Sequence, residues 1–537
     1  MKAARITTWR LGGVALGALL VAVFAAFFAY PLLRFLALPV FPGLGPLGAL
    51  GYAAGSGLSD RAVFGTLALG LATACVTAPL GVAFGFLLEC RSWHGNRLLS
   101  ACLWLIFVMP SYLIATGGQI LFGSAALRGS MAEAWFFSAP GIVALLALKA
   151  LPFACLAART GWRAIGGEIG DAARLHVACK WRRAWILLRL LLPSAGSAFV
   201  IVFIEVIQDF GIAATLGAQI HMPLIIYAIY ERLAAMPVDF GAAAALSWYL
   251  VLFAGLAMAV HLHFSIRYTA ALVHGRRRHV HQPPCTKAGA IVATLGLVLV
   301  ATAGLVVPLG ALFTEALLPS TKAVPGLPSL GNSAAYAVTA ATLALLLAAL
   351  LTARAQRSGR LRHALDLITL GNMAVPGLVL GAAYVIAFNE SWLPLYGTPL
   401  LLVIAYVAGH VPMLVRFLQA PLGQLHANLA DAGRIHGLRI VQRIRHIHAP
   451  LLSKPLLWGW CLAFAQILFE LPVSELLYPA GRTPLGVQLL QLDQTFNYAG
   501  EARLAFCAIA LCLVVIGLVA LLAREDAPSP KSVLETP

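Results

Sequence analysis

Long apolar runs alternate along this chain of 537 residues with short polar and basic stretches. Twelve of the runs come close to the roughly 20 residues that a helix needs to cross a bilayer core. They fall near 11–33, 62–88, 98–122, 139–158, 192–216, 241–264, 289–312, 333–353, 364–388, 398–415, 455–477 and 502–523. Helices satisfy their own backbone groups in lipid, so the pattern predicts an all-α polytopic membrane protein of about twelve transmembrane helices. Helical periodicity reappears in two polar stretches. Ile165, Ile169, Ala172, Leu175 and Ala178 follow one another at spacings of four, three, three and three, and Leu425, Leu429, Ala432, Ile435 and Leu438 repeat that register. Each set predicts a short amphipathic helix between spans. Pro193 and Pro450 are expected to mark the turn into the following span.

Those two stretches also share a string. Asp171-Ala172-Ala173-Arg174-Leu175-His176 returns 260 positions later as Asp431-Ala432-Gly433-Arg434-Ile435-His436. At similar offsets Met109-Pro110-Ser111 pairs with Val375-Pro376-Gly377, and Asp209-Phe210-Gly211 with Glu470-Leu471-Pro472. The chain therefore reads as two copies of one unit: residues 1–275 (core 62–264), a cytoplasmic linker 276–288, residues 289–524 (core 333–523) and a tail 525–537. Six spans per copy give both copies the same orientation, with a pseudo-two-fold axis along the membrane normal and a path between the halves.

Composition agrees with that solvent. Hydrophobic residues make up 61% of the chain, charged ones 11%, and the mean hydropathy is +0.88, outside the range of ordinary soluble domains. With the N-terminus placed in the cytoplasm, the inward segments hold 29 of the 37 Lys and Arg residues. This asymmetry puts both termini and both repeated loops in the cytoplasm. It also accounts for the net charge of +17 through topology and lipid headgroups, without nucleic acid. The first span follows Lys2, Arg5 and Arg10 like a signal peptide, but no small-residue cleavage site precedes Tyr30-Pro31, so it is expected to stay as an anchor. The nine cysteines have neither disulfide nor zinc spacing, and no cofactor or metal is expected. His274, His279 and His281 beside Arg276-Arg277-Arg278 fit a solvated linker.

Ionisable groups inside spans are costly without a purpose. Glu205 and Asp209 lie one turn apart in the fifth span, and Glu470 and Glu475 lie at the end of the eleventh. Glu205, Asp209 and Glu470 are candidates for lining or gating a path, with helix bracing as the alternative. Lys149 is expected to partner one of the acids or to snorkel. No catalytic constellation and no GxxxxGK[ST] phosphate loop is present, so ATP chemistry has to come from elsewhere.

At the repeated strings the chain resembles the EAA loop of binding-protein-dependent ABC importer permeases, which runs from Glu-Ala-Ala through a Gly three residues after an Arg to Leu-Pro. Asp431, Ala432, Arg434, Gly437 and Pro450 match it, with Asp for Glu; the first copy has Val177 at the Gly position, and its Pro193 falls three residues late. The resemblance implies a transport subunit rather than an enzyme, a multi-pass protein of the bacterial inner membrane. It implies two copies of a cytoplasmic ABC ATPase as partners, and a periplasmic solute-binding protein. The coupling residues it implies are Asp171, Ala172, Arg174, Leu175, Asp431, Ala432, Arg434, Ile435 and Gly437. The stretch from Glu470-Leu471-Pro472-Val473-Ser474 through Pro479-Ala480-Gly481 to Leu485 is similar to fused iron(III) permeases. That makes iron(III) the expected cargo, with thiamine, polyamine or phosphonate-like solutes as alternatives. An ion-coupled secondary transporter is the rival class, and it has no use for twin docking helices.

Overall fold

The computed structural model describes residues 2–40, 58–269, 283–318, 326–356, 359–391, 393–423, 435, 437–438 and 440–525. The first half comprises α1 (Lys2–Ala37), α2 (Leu58–Cys90), α3 (Asn96–Val108), α4 (Ser111–Phe122), α5 (Ala139–His176), α6 (Lys180–Ile207), α7 (Ile225–Ala234) and α8 (Phe240–Thr269). The second comprises α9 (Lys287–Ala301), α10 (Val307–Ala316), α11 (Leu327–Ala355), α12 (Gly359–Met373), α13 (Gly377–Phe388), α14 (Pro399–Gly423), α15 (Ala449–Leu468), α16 (Leu485–Gln494) and α17 (Tyr498–Glu525). From α2 and α11 onward the two orders correspond element by element.

Among the described residues, ten stretches are long and apolar enough to cross a membrane, and an eleventh if α3 and α4 count together. The two remaining expected spans are not single helices. The third bends by 99° between α3 and α4, at Met109-Pro110. The ninth stops at Met373 and restarts at Gly377, after Pro376. Proline supplies no amide and pushes the preceding residue out of the helical region, so both breaks sit where the chemistry demands them. The fifth span also ends early: α6 stops at Ile207, and Phe210–Ile212 and a π-helical stretch Ala213–Gly217 follow.

The halves are interlocked by their leading helices. α1 of the first half packs on α13 of the second, where Tyr384 Oη donates to the Phe27 carbonyl at 2.9 Å. Reciprocally, α10 packs on α4. That crossing is tight, since a Cβ on Gly117 would stand 2.5 Å from the Pro308 backbone. One continuous buried core draws residues from both halves, from Phe24 and Phe28 through Phe210 to Tyr406 and Phe464.

The end of the linker is tied to the first half. Ser92, in the turn after α2, donates its amide to the Pro283 carbonyl at 3.2 Å, and its carbonyl accepts from the Cys285 amide at 3.1 Å.

Candidate functional site

Two pairs of broken helices face one another at the centre. In the first half the break at Pro110-Ser111 abuts the break at Phe210-Gly211, so closely that a Cβ on Gly211 would collide with Ser111 Oγ. In the second half Gly377 faces Pro472 and Val473, at 3.3 and 3.5 Å from its notional Cβ. A broken helix exposes amides and carbonyls that lipid cannot satisfy, so each break needs side-chain partners.

The intramembrane charges supply them. Asp209 Oδ1 accepts from the Ile212 amide at 2.8 Å, and Glu470 accepts from the Val473 and Ser474 amides at 2.8 and 2.9 Å. Lys149 donates to the carbonyls of Ile106, Phe107 and Met109 at 3.2, 3.0 and 2.5 Å, closing the α3 end of the first break. The expectation that Lys149 pairs with an acid or snorkels is thus corrected: Glu205 and Asp209 lie within its electrostatic reach, but its hydrogen bonds go to carbonyls. Glu205 on α6, one turn before Asp209, keeps an accessible side chain.

Hydroxyls one helix away complete the scaffold. Thr66 Oγ1 accepts from the Ile225 amide at 2.9 Å, and Ser333 Oγ from the Leu485 amide at 2.7 Å. These two satisfy the first amides of α7 and α16 at matching positions, a role that the sequence pattern does not announce. The amides they serve, Ile225 and Leu485, stand 260 positions apart like the repeated strings, whereas the two hydroxyls are 267 apart. Between the halves, Tyr112 Oη donates to the Phe469 carbonyl at 3.4 Å, and Tyr230 Oη to Glu475 at 3.2 Å.

The repeated loops lie at the other end of the long helices. In the first copy the expected separate amphipathic helix is instead the last part of α5, which runs unbroken from Ala139 to His176. Its stripe divides accordingly: Ile165 is buried, while Ala172, Leu175 and Ala178 are exposed. The turn comes at Val177–Cys179 and α6 begins at Lys180, so Pro193 lies inside a helix and does not mark the turn. Pro450 does not mark a turn either, because helical Ile440–Arg443 and a π-helical stretch Ile444–His448 run without a break into α15. In the second copy Gly437 adopts φ +73°, a left-handed conformation that a β-branched residue such as the first copy's Val177 resists.

Leu175 is 83% exposed and Ile435 is 84% exposed, two large aliphatic side chains left open to solvent at equivalent positions. Asp431, Ala432 and Arg434 lie outside the described residues, and of Asp171 and Arg174 only the helical backbone is described. An ion-pair clamp holds the base of the first loop. Glu89 at the end of α2 accepts from Arg159 Nε at 3.0 Å and Arg163 Nε at 2.6 Å, both on α5. In the second half Gln419 of α14 donates to Asp366 of α12 at 2.8 Å.

At the opposite end of α5 from the loop, a cavity of about 890 Å³ opens between the halves, with Gln119, Glu133 and Gln219 on one side and Thr314, Glu315 and Tyr498 on the other. No group of three or more metal-ligating side chains occurs among the described residues.

The chain as a whole is similar to known proteins. The family model for the binding-protein-dependent transport system inner membrane component matches twice, over residues 79–278 and 340–525. The ferric transport system permease protein FbpB of Actinobacillus pleuropneumoniae is 25% identical over 492 residues, which cover 86% of this chain and 71% of that protein. The putative ferric transport system permease protein FbpB 1 of Haemophilus influenzae is 25% identical over 393 residues, covering 68% and 62%. The putative 2-aminoethylphosphonate transport system permease protein PhnV of Salmonella typhimurium is 24% identical over 143 residues, covering 27% and 54%.

Proposed function

The chain belongs to the binding-protein-dependent transport system inner membrane components, as a tandem fusion of two permease units, and from that premise we propose that it carries iron(III) inward, driven by ATP hydrolysed on a separate subunit. The observation that carries the coupling is the exposure of Leu175 and Ile435 at equivalent places on the two loops. An aliphatic side chain left in water twice, at positions related by the repeat, suits a partner present in two copies. Two ATPase copies seat these loops, and their approach on binding ATP moves α5 and the chain ahead of α15. The Glu89 clamp transmits that motion to α2 in the first half. The broken helices then rearrange at the centre, and the cargo arrives from a periplasmic binding protein. Both termini lie in the cytoplasm, as the Lys and Arg distribution favours.

Iron(III) as cargo rests on the ferric permeases that resemble most of the chain. A phosphonate-like solute is the second reading, supported by a match over 27% of the chain. The test is uptake of radioactive iron into vesicles containing the chain, its ATPase and the binding protein, with and without ATP. Transport of iron only with ATP supports the reading; uptake driven by an ion gradient without ATP abolishes it.

A further inference from the structure

The cavity between the halves has an unusual floor. Gln119 Nε2 donates to Gln219 Oε1 at 2.9 Å, and Gln119 Oε1, on a side chain 6% exposed, has no hydrogen-bond partner. A buried acceptor left empty is destabilising, so a ligand that fills it removes the penalty. A second orphan lies just beyond. Glu501 stands one turn along α17 from the wall residue Tyr498, is 0% exposed, and neither of its carboxylate oxygens finds a partner. The adjacent Thr116 hydroxyl, one turn along α4 from Gln119, is already given to the Tyr112 carbonyl at 3.0 Å.

The surrounding charges are acidic. Tyr498 stands within electrostatic reach of Asp493, Glu501 and Glu315. Arg503 nearby is engaged by the carbonyls of Ala316, at 3.0 Å, and Leu318. Glu133 accepts from the Gly129 amide, and Arg128 stands at the rim. The interior thus offers oxygen acceptors and carboxylates with few donors, and buried carboxylates are normally paired or bound to a cation.

We propose that this cavity is a receiving subsite for a multivalent cation, held first by Glu315 and Gln119 and then by Glu501. The proposal deepens the importer reading and rests on it. Hard cations favour oxygen ligands of this kind, whereas an oxyanion would meet the Glu133 and Glu315 carboxylates on the cavity wall and Glu501 behind it. Beyond Glu501 the Tyr112–Phe469 hydrogen bond joins the two halves.

The test uses the full chain in phosphatidylcholine nanodiscs, with Tb³⁺ as the trivalent probe and its tyrosine-sensitised luminescence as the readout. We expect saturable binding that weakens about tenfold or more in Glu315→Gln and in Glu501→Gln. It should be unchanged in Glu390→Gln, a carboxylate ion-paired with Arg34 at 2.9 Å outside the cavity. Glu315 is only half-buried, so its variant carries the test if the Glu501 variant folds poorly. Binding unchanged in the Glu315 variant, or a site that molybdate occupies and Tb³⁺ does not, overturns the proposal. Recovery of the ATPase with each variant is scored in parallel. ATPase kept with Tb³⁺ binding insensitive to these residues defeats the cavity alone, and absence of the ATPase from wild type defeats the importer reading.

Discussion

Asp209 and Glu470, which sit at matching places in the two halves, act alike, for each carboxylate accepts the amide of the residue three positions ahead, at 2.8 Å in both cases. They hold the restart of a helix broken inside the membrane. This makes bracing the first duty of both residues. The break is the place where an alternating path can open, because its backbone is already released from the helical ladder.

Asparagine keeps the acceptor of Asp209 and loses its charge. Asp209→Asn should therefore unfold within about 0.5 kcal/mol of wild type, and Asp209→Ala about 1–2 kcal/mol earlier. Denaturation in mixed micelles, followed by circular dichroism, separates them. Equal stability of the two variants would show that the Ile212 contact holds nothing.

Lys149 closes three carbonyls at the α3 end. Lys149→Met fits the stem but leaves those carbonyls unsatisfied in an apolar setting, and should cost about 2–4 kcal/mol. A melting temperature unchanged by this substitution would mean that water or another donor serves the break.

Thr66 and Ser333 act on equivalent amides. Thr66→Val and Ser333→Ala should each destabilise by about 1–2 kcal/mol, and the double variant by the sum, since the sites share no partner. Strong non-additivity in the melting data would indicate that the two halves answer to each other through these contacts.

Gly117 lies against the Pro308 backbone where α4 meets α10. Gly117→Leu must push the helices apart. Halves expressed as two chains should co-purify with Gly117 and separate with the variant. Undiminished co-purification would show that the α1–α13 contact suffices.

Leu175→Asp with Ile435→Asp should remove the ATPase from affinity-purified chain while leaving the permease in the membrane. Each single change should lower recovery about tenfold, at about 1–2 kcal/mol of lost apolar contact. Mass spectrometry of the purified fractions gives the answer, and full recovery with the double variant would rule these loops out as the docking surface.

Much of this architecture is legible in the chain because lipid imposes simple rules. Apolar runs mark most of the spans, and the twin strings mark the two copies. Pro110 and Pro376 are visible as a pair, yet nothing in hydropathy says that they break their spans, since the residues on both sides are equally apolar. The amphipathic stripe from Ile165 to Ala178 is helical as its spacing predicts through His176 but is no separate element, because periodicity shows which face residues share and not where a helix begins. Lys149 defeats expectation for a related reason. Opposite charges suggest a pair, but its partners are backbone carbonyls, which no side-chain pattern records. Gln119 and Glu501 could not be associated at all, being 382 positions apart.

The sequence by itself determined an all-α membrane protein built of two like-oriented units, since burial of apolar surface and backbone satisfaction in lipid depend on composition and spacing along the chain. The tertiary structure alone decided which charges close which breaks, that α1 and α10 cross to the opposite half, and that the two units enclose an acidic cavity. These depend on distances between segments remote in the chain, which packing sets and local pattern does not encode.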